Sequence, residues 1–326
     1  MAKVSGLGDN AYVGGYDLSG DISALTKIGG GPALLDVTGI DKSAVERIGG
    51  LFSGELSFAA WFNAATGQEH ATLSALPTTD VDILYARGTT LGNVAAFLRA
   101  KQVNYDMTRG AQGELSEVVQ ALSNAYPLFW GRLLTAGKRT DTAATNGTGV
   151  DLGADPTYTA VNISSVTVAN PGQVNTSTPH GLVTGDSVTI AGTTTTPSIN
   201  GDYPVIVVNS TRFTIPVNVT SGQAGAAGTV TRTSANFGLT AVHHTFSFTG
   251  TSNTPKIQHS ADNGSADAYA DITGAAFAAI SSAPNSQLIQ TATTATIKRW
   301  VRLVSVGTFN PSTFACAVMR HLTSTI

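Results

Sequence analysis

Apolar and polar residues alternate with a period of two along much of this chain. The clearest run is 55–62, with Leu56, Phe58, Ala60 and Phe62 on one face and Glu55 and Ser57 on the other. An extended backbone points successive side chains to opposite sides, so this run predicts a strand with one buried face. Upstream, Leu34-Leu35-Asp36-Val37 is a short β-forming run. Gly49-Gly50 and Gly54 punctuate the stretch between, where glycine's backbone freedom permits tight turns. Residues 34–63 therefore predict strand, polar loop, tight turn, strand. Further strands are expected at 80–87, 94–106, 298–304 and 313–319. Within 94–106, Phe97, Arg99, Lys101, Val103 and Tyr105 share one alternating face, against the helical preference of the alanines. Residues 114–122 fit two templates, because Leu115, Val118, Val119 and Leu122 also recur at helical spacing. One short helix is predicted over 69–76, with Leu73 and Leu76 three apart and Pro77 as its stop.

Residues 1–33 are glycine-rich and weakly patterned, an arm that either frays or becomes ordered on a neighbour. Residues 135–157 run through Gly, Thr, Asn, Asp and Pro without a period and predict a linker. Strand-like runs at 162–169, 187–191, 203–208, 212–216 and 228–232 then make a separate module. In the last region 242–248 alternates, so His243 and His244 must face opposite ways and cannot jointly hold a metal from one strand. Asn263-Gly264 signals a hairpin turn. The expected fold is mainly β, with divisions at 1–153, 158–233 and 234–326.

Composition sharpens this picture. At 326 residues the chain exceeds a usual single domain. Only 12% of residues are charged, about half the ordinary share. A surface of small polar groups favours sheets over solvent-facing helices. It suits a protein that buries its exterior against copies of itself, and equally a threonine-rich adhesin. Net charge is −3, with 15 acidic against 11 basic residues in 1–153, 3 against 2 in 154–233, and 3 against 5 in 234–326. This balance excludes a nucleic-acid-binding groove, and Arg99, Lys101 and Arg109 are too sparse to form one. A mildly acidic wall would let DNA slide past; it is also an ordinary solvated surface.

Candidate chemistry is thin. Cys316 is alone in an apolar run, so no disulfide framework is expected. No basic, apolar leader and no apolar run of about 18 residues is visible, so no membrane span is expected and folding in a reducing cytoplasm follows. Six Asn-x-Ser/Thr sequons, at Asn146, Asn162, Asn175, Asn209, Asn218 and Asn263, read as chance products of composition. No phosphate loop, His-Glu-x-x-His, Cys-x-x-Cys or Gly-x-Ser-x-Gly pattern occurs, and no carboxylate pair can be singled out. The chain is read as no enzyme, without cofactor or metal. His70 stands alone. His180 either pairs with Asp186 or caps its turn. Arg299 and Arg302 either bind an anion or meet cross-strand acids. Tyr126, Phe129 and Trp130, beside Pro127, offer a sugar platform or core packing.

Several segments carry a family resemblance. Asp36-Val37-Thr38, the polar cluster Ser43 to Arg47, and Gly50-Leu51 through Gly54-Glu55-Leu56-Ser57-Phe58 resemble segments that recur in tail tube proteins (major tail proteins) of long-tailed bacteriophages. Asp17-Leu18-Ser19-Gly20-Asp21 resembles a segment of phage tail proteins, and 124–134 one of actinobacterial phage tail proteins. Pro179 to Ile190, Asn200 to Val205 and Thr211 to Ile215 resemble a small β-module of phage tail and fibre proteins. Residues 248–304 are similar to the C-terminal β-sandwich of major tail proteins. The resemblance implies a tail-tube-type β-sandwich with one short helix, followed by two small β-rich modules, and it makes 114–122 a strand. It also implies a structural protein of the virion tail, made in the host bacterial cytoplasm. Six copies would form rings that stack into a tube, and DNA would pass through without specific binding. The N-terminal arm and the loop at 39–50 would join the rings, with Asp17, Asp21, Ile40, Lys42, Glu46, Arg47 and Ile48 as self-assembly contacts. Tape measure, tail terminator and distal tail proteins would be its partners. The alternative is a baseplate or tail-fibre adhesin that binds host surface glycan.

Overall fold

Alternation becomes strand almost throughout the structure, a computed structural model that describes residues 5–76, 79–153, 159–182, 184–232 and 238–321. The fold is mainly β, as expected. The first part comprises β1 (Asn10–Val13), β2 (Tyr16–Asp17), β3 (Ile22–Asp36), β4 (Arg47–Trp61), the helix α1 (Glu69–Leu73), β5 (Val81–Ala86), β6 (Val94–Gln102), β7 (Asp106–Arg109), β8 (Leu115–Ser123) and β9 (Phe129–Leu133). Three short strands follow: β10 (Arg139–Asp141), β11 (Thr145–Asn146) and β12 (Val150–Asp151). Next come β13 (Val161–Thr167), β14 (Gly172–Thr176), β15 (Ser187–Ala191), β16 (Gly201–Pro204), β17 (Ile206–Asn209), β18 (Arg212–Ile215), β19 (Gln223–Ala224) and β20 (Thr229–Arg232). The chain closes with β21 (Leu239–Asn253), β22 (Lys256–Ser260), β23 (Ala270–Ala276), β24 (Asn285–Gln290), β25 (Trp300–Ser305) and β26 (Gly307–Arg320).

Two compact units result, one from residues of 1–153 and 238–320, the other from the segment between. The ladders join 234–326 to the first region. β9 and β10 pair with β26, which pairs with β21, so the last region completes the sheet that the first one starts. The predicted linker also differs. Within it β10 pairs with β26, and β11 and β12 pair with β25. Arg139 and Asp141 form an ion pair at 2.7 Å, and the Ser305 hydroxyl donates to Asp141 at 2.6 Å. Residues 154–157 lie outside the described residues.

In the first unit, strands β1, β5, β6, β9, β26, β21 and β24 follow one another in a single curled sheet. Its concave side encloses Tyr12, Leu84, Phe97, Phe129, Leu133, Val242 and Ala317. The curl nearly closes where the β1–β2 turn reaches β24. Gly15, at φ +91°, sits so close that an added Cβ would lie 2.5 Å from the Asn285 nitrogen. The Gly15 amide donates to His244 Nδ1 at 3.2 Å across the same seam. Most of β5 and β6, the first half of β21 and the second half of β26 are buried on both faces, which explains the apolar runs of β5, β6 and β26. Outside the curl, β22, β23 and β25 cover one face, with Ile257, Leu303, Phe314 and Cys316 between the layers. On another face, β3, β4, β8 and α1 cover Ile83, Leu98, Phe58, Val119 and Leu73.

Residues 10–18, expected in a loose arm, are core: Tyr12, Val13 and Leu18 are buried. The apolar positions there are few but all inward, a density too low for the pattern to register. The helix ends at Leu73, short of the predicted 76, and Pro77 lies outside the described residues. Residues 114–122 form a strand. In its register with β4, Glu117, Val119 and Ala121 face inward, while Val118 and Leu122 of the helical template face solvent. The predicted strand 94–106 ends at Gln102.

The second unit is the sheet β16-β15-β20-β13-β14-β18-β17, with β19 on β13, around Ile163, Val174, Val188, Phe213, Ile215 and Val230. The predicted strands hold their places, although 203–208 is split between β16 and β17. Strands β14 and β19 escaped prediction because their sequences, Gly-Gln-Val-Asn-Thr and Gln-Ala, are mostly polar. His180 caps its turn: the Leu182 amide donates to its Nδ1 at 3.0 Å, and Nε2 meets the Asn209 carbonyl at 3.0 Å. Asp186 pairs with Arg232 at 2.6 Å.

His243 and His244 face opposite sides of β21, as alternation requires. His243 stacks on Phe314 at 5.2 Å, and His244 approaches Tyr12 at 6.3 Å. Burial holds both rings neutral down to about pH 3, helped at His243 by its neighbour. A histidine that is neutral when folded but protonated when unfolded costs stability as pH falls below its ordinary value near 6.5. Urea unfolding should therefore show stability falling from pH 6.5 toward 3. His243→Leu should reduce the loss between pH 7 and 4.5 by about 1–3 kcal/mol; an unchanged loss would contradict the neutral buried ring.

Candidate assembly surface

The hairpin of β3 and β4 has two halves with different surroundings. Near its feet, Leu56, Phe58 and Ala60 are fully buried and β4 pairs with β8 from Glu55 to Trp61. Beyond Gly54 the ribbon has only two strands. Gly49-Gly50 and Gly54, expected to turn the chain, lie inside β4 instead. Gly54 is required by packing: a Cβ there would sit 2.7 Å from the Leu128 nitrogen. Ladder pairing continues to Asp36 and Arg47.

This outer half exposes large apolar groups. Leu51 is 88% exposed, Leu34 65% and Phe52 52%. Leu35, Val37, Ile40, Val45 and Ile48 are exposed as well. Re-burying such groups is worth about 1 kcal/mol or more each. A two-stranded hairpin is marginal alone in water, and a contiguous apolar patch marks an interaction site. The loop at 37–46 is nevertheless fastened. Asp36 accepts from the Thr38 amide at 2.9 Å and from its hydroxyl at 2.6 Å, and these bonds lower its pKa. The Glu46 amide donates to Thr38 Oγ1 at 2.8 Å, and Lys42 approaches Glu46 at 3.4 Å.

Of the residues expected in assembly, Ile40, Lys42, Glu46, Arg47 and Ile48 all lie at this tip and are exposed. Asp17 and Asp21 lie elsewhere, inside the fold. Burial opposes ionisation of Asp17, but Lys138 at 2.5 Å and bonds from Ser19 outweigh it and lower its pKa. Asp21 is buried and accepts from Asn63 Nδ2 at 2.8 Å and the Glu69 amide at 3.0 Å.

Among the described residues β3 pairs only with β4, and β7 only with β8, while the far end of β8 pairs with β6 of the curled sheet, so β3 and the four-residue β7 are two unequal free edges of the layer β3-β4-β8-β7. The β3 edge carries three register shifts, Lys27 and Pro32, features that limit indiscriminate pairing. On the layer's outer face Glu55 is held by Lys27 at 2.6 Å, Ser57 at 2.7 Å and Gln120 at 2.9 Å, which push its pKa down to about 2.

Other predicted groups are occupied in place. Arg99 pairs with Asp82 at 2.8 Å and Lys101 with Asp80 at 2.9 Å, and Arg109, the third member of that basic cluster, is exposed on β7. Arg299 meets Asp151 at 2.6 Å, and Arg302 bonds Gln258 at 2.7 Å. In the aromatic cluster Phe129 is core and Trp130 is half exposed. Phe62 points away from the core and lies 4.6 Å from the His70 ring. Cys316 is buried, and burial raises its thiol pKa. No group of three or more metal-ligating side chains occurs among the described residues. Sequence reading missed a buried trio of acids, Asp21, Glu69 and Glu117. The available signal was Glu117 at an inward position of the period-2 pattern, between Leu115 and Val119.

No family model matches this chain, and no curated protein matches it. Among solved structures it is similar to the Dit (gp 19.1) protein of phage SPP1, described as a paradigm of the hub adsorption apparatus in phages that infect Gram-positive bacteria. Identity is 10%, coverage is 71% of this chain and 99% of that one, and the TM-score is 0.27. So loose a superposition carries no argument about either fold or role.

Because Ile40 and Leu51 are almost fully exposed, the double change Ile40→Ser and Leu51→Ser should alter unfolding free energy by no more than about 0.5 kcal/mol. It should at the same time weaken self-association at least tenfold in sedimentation equilibrium. Equal association by wild type and variant would show that the tip joins nothing.

Proposed function

We propose that this chain is a structural subunit of a phage tail that polymerises into a tube. The observation that carries this reading is the apolar two-stranded tip of the β3–β4 hairpin, which is left exposed among the described residues. The resemblance of residues 36–58 to tail tube proteins supports it. The reading assigns the chain no reaction and no cofactor.

The two edges of the layer β3-β4-β8-β7 suit a ring. In a head-to-tail contact the β3 edge of one copy meets the β7 edge of the next. Repetition closes a ring when the rotation divides the circle, and six copies follow from the resemblance. The hairpin then reaches along the axis to the next ring and buries its apolar tip there. The first unit holds 18 acidic and 16 basic residues, so such a tube would present no strongly basic wall to DNA.

The second unit is an insertion into the first. Arg320 Nη2 donates to the Gly153 carbonyl at 2.9 Å, and the Arg320 backbone pairs with Leu239. The chain therefore leaves and re-enters the first unit at neighbouring points. Its role in this reading is decoration of the tube's outside.

Negative-stain electron microscopy of purified protein at high concentration should show annular particles or tubes with a central hole. Replacing 154–237 by a short Gly-Ser linker should leave them intact. Solitary protomers under all salt conditions would overturn the tube reading and leave the adhesin.

A further inference from the structure

Both feet of the β3–β4 hairpin converge on α1 above a group of buried acids. At the first foot, Asp21 accepts the Trp61 amide on its carbonyl at 2.8 Å, tying the second foot to it. Its carboxylate takes Asn63 Nδ2 and the Glu69 amide, so both of its oxygens are used. The Tyr105 hydroxyl, on the β6–β7 connection, donates to Glu69 Oε2 at 3.3 Å and lies 2.8 Å from His70 Nδ1. Glu117 faces the same space from β8.

Glu69 and Glu117 are both fully buried. Glu69 Oε1 and both Glu117 carboxyl oxygens have no hydrogen-bond partner. Among the described residues, none of the ion pairs reaches either side chain. The titratable groups facing the pair are Asp21 from the β2–β3 turn, His70 from α1 and Tyr105 from the β6–β7 connection. Two buried carboxyls without a cation cannot both be ionised without strong mutual repulsion and loss of hydration. A proton retained on one of them removes the repulsion and half of the desolvation cost.

We propose that the buried Glu69 and Glu117 are not both ionised in the folded protein, and that full ionisation of this cluster undocks α1 and loosens both feet of the β3–β4 hairpin. Burial first, then repulsion by Glu117 and Asp21, raises the Glu69 pKa to about 7, against an opposing bond from Tyr105. Burial also raises the pKa of Glu117, against opposing interactions with the Tyr105 hydroxyl and the His70 ring. For an acid whose folded pKa is raised, the stabilisation is complete below its unfolded value. It is lost as pH climbs through the folded value. The window therefore runs from about pH 4.5 to about pH 7. α1 is only five residues long and cannot hold itself, so its docking is the element that responds. The latch belongs to one protomer and does not depend on how copies assemble.

Hydrogen exchange of the full-length protein, corrected for intrinsic rates, tests this. Protection of residues 59–73 should fall about tenfold or more between pH 5.5 and 8.5. Protection of β13 and β14, in the second unit with its own core, should stay level. Glu69→Gln, a neutral mimic of the protonated acid, should abolish the step. A wild-type protein with equal protection at both pH values, or a Glu69→Gln protein that keeps the step, would overturn the latch. Carboxyl-carbon NMR of the wild type removes any dependence on the variant folding, because the chain has only five glutamates. One resonance should titrate near pH 7; five midpoints below about 5 would refute the retained proton.

Discussion

Past Gly54 the β3–β4 ribbon has no third strand and no layer beneath it, yet it carries the side chains of a core. This mismatch between apolar content and available cover is the constraint on which the account rests. A folded domain normally removes such residues from water itself, and the feet of the same hairpin do so through Leu56, Phe58 and Ala60. The outer half is instead held in shape by local bonds around Thr38 and left bare. A defined backbone with an uncovered apolar surface is prepared for contact at little ordering cost.

The rest of the first unit can be read as a mount for that ribbon. The curled sheet is closed at Gly15 and His244, filled by Tyr12 and Phe97, and backed by a second sheet. It gives β5 and β6 a firm outer face. Onto that face β4 and β8 pack, and α1 ties down the ribbon's base through Asp21. The inserted unit has its own core and joins the first unit through two neighbouring points. It can therefore vary without disturbing the mount.

Much of this was legible in the sequence, and the failures have physical causes. Strict alternation at 56–60 and 187–191 gave strands because one face is buried and the other wet. Residues 10–18 were misread because Ala11, Tyr12, Val13 and Leu18, which carry the burial, lie in a glycine-rich segment without a period. The glycines at 49, 50 and 54 looked like turns, yet one of them is needed for close approach to Leu128 within a strand. No local pattern could show that β26 pairs with β9, since that ladder joins residues nearly 200 positions apart. The apolar tip was visible as residues but not as a surface, because exposure depends on what fails to pack there. The Glu69–Glu117 pair was invisible for a related reason: its partners come from separate elements.

The central claim is that the hairpin tip is covered by another copy. Hydrogen exchange over residues 34–52, measured across a thousandfold range of protein concentration at fixed pH and salt, tests it most directly. The account predicts rapid exchange when dilute and strong protection when concentrated, in step with particle mass. Exchange that is independent of concentration, while the mass of the particles grows, would contradict it.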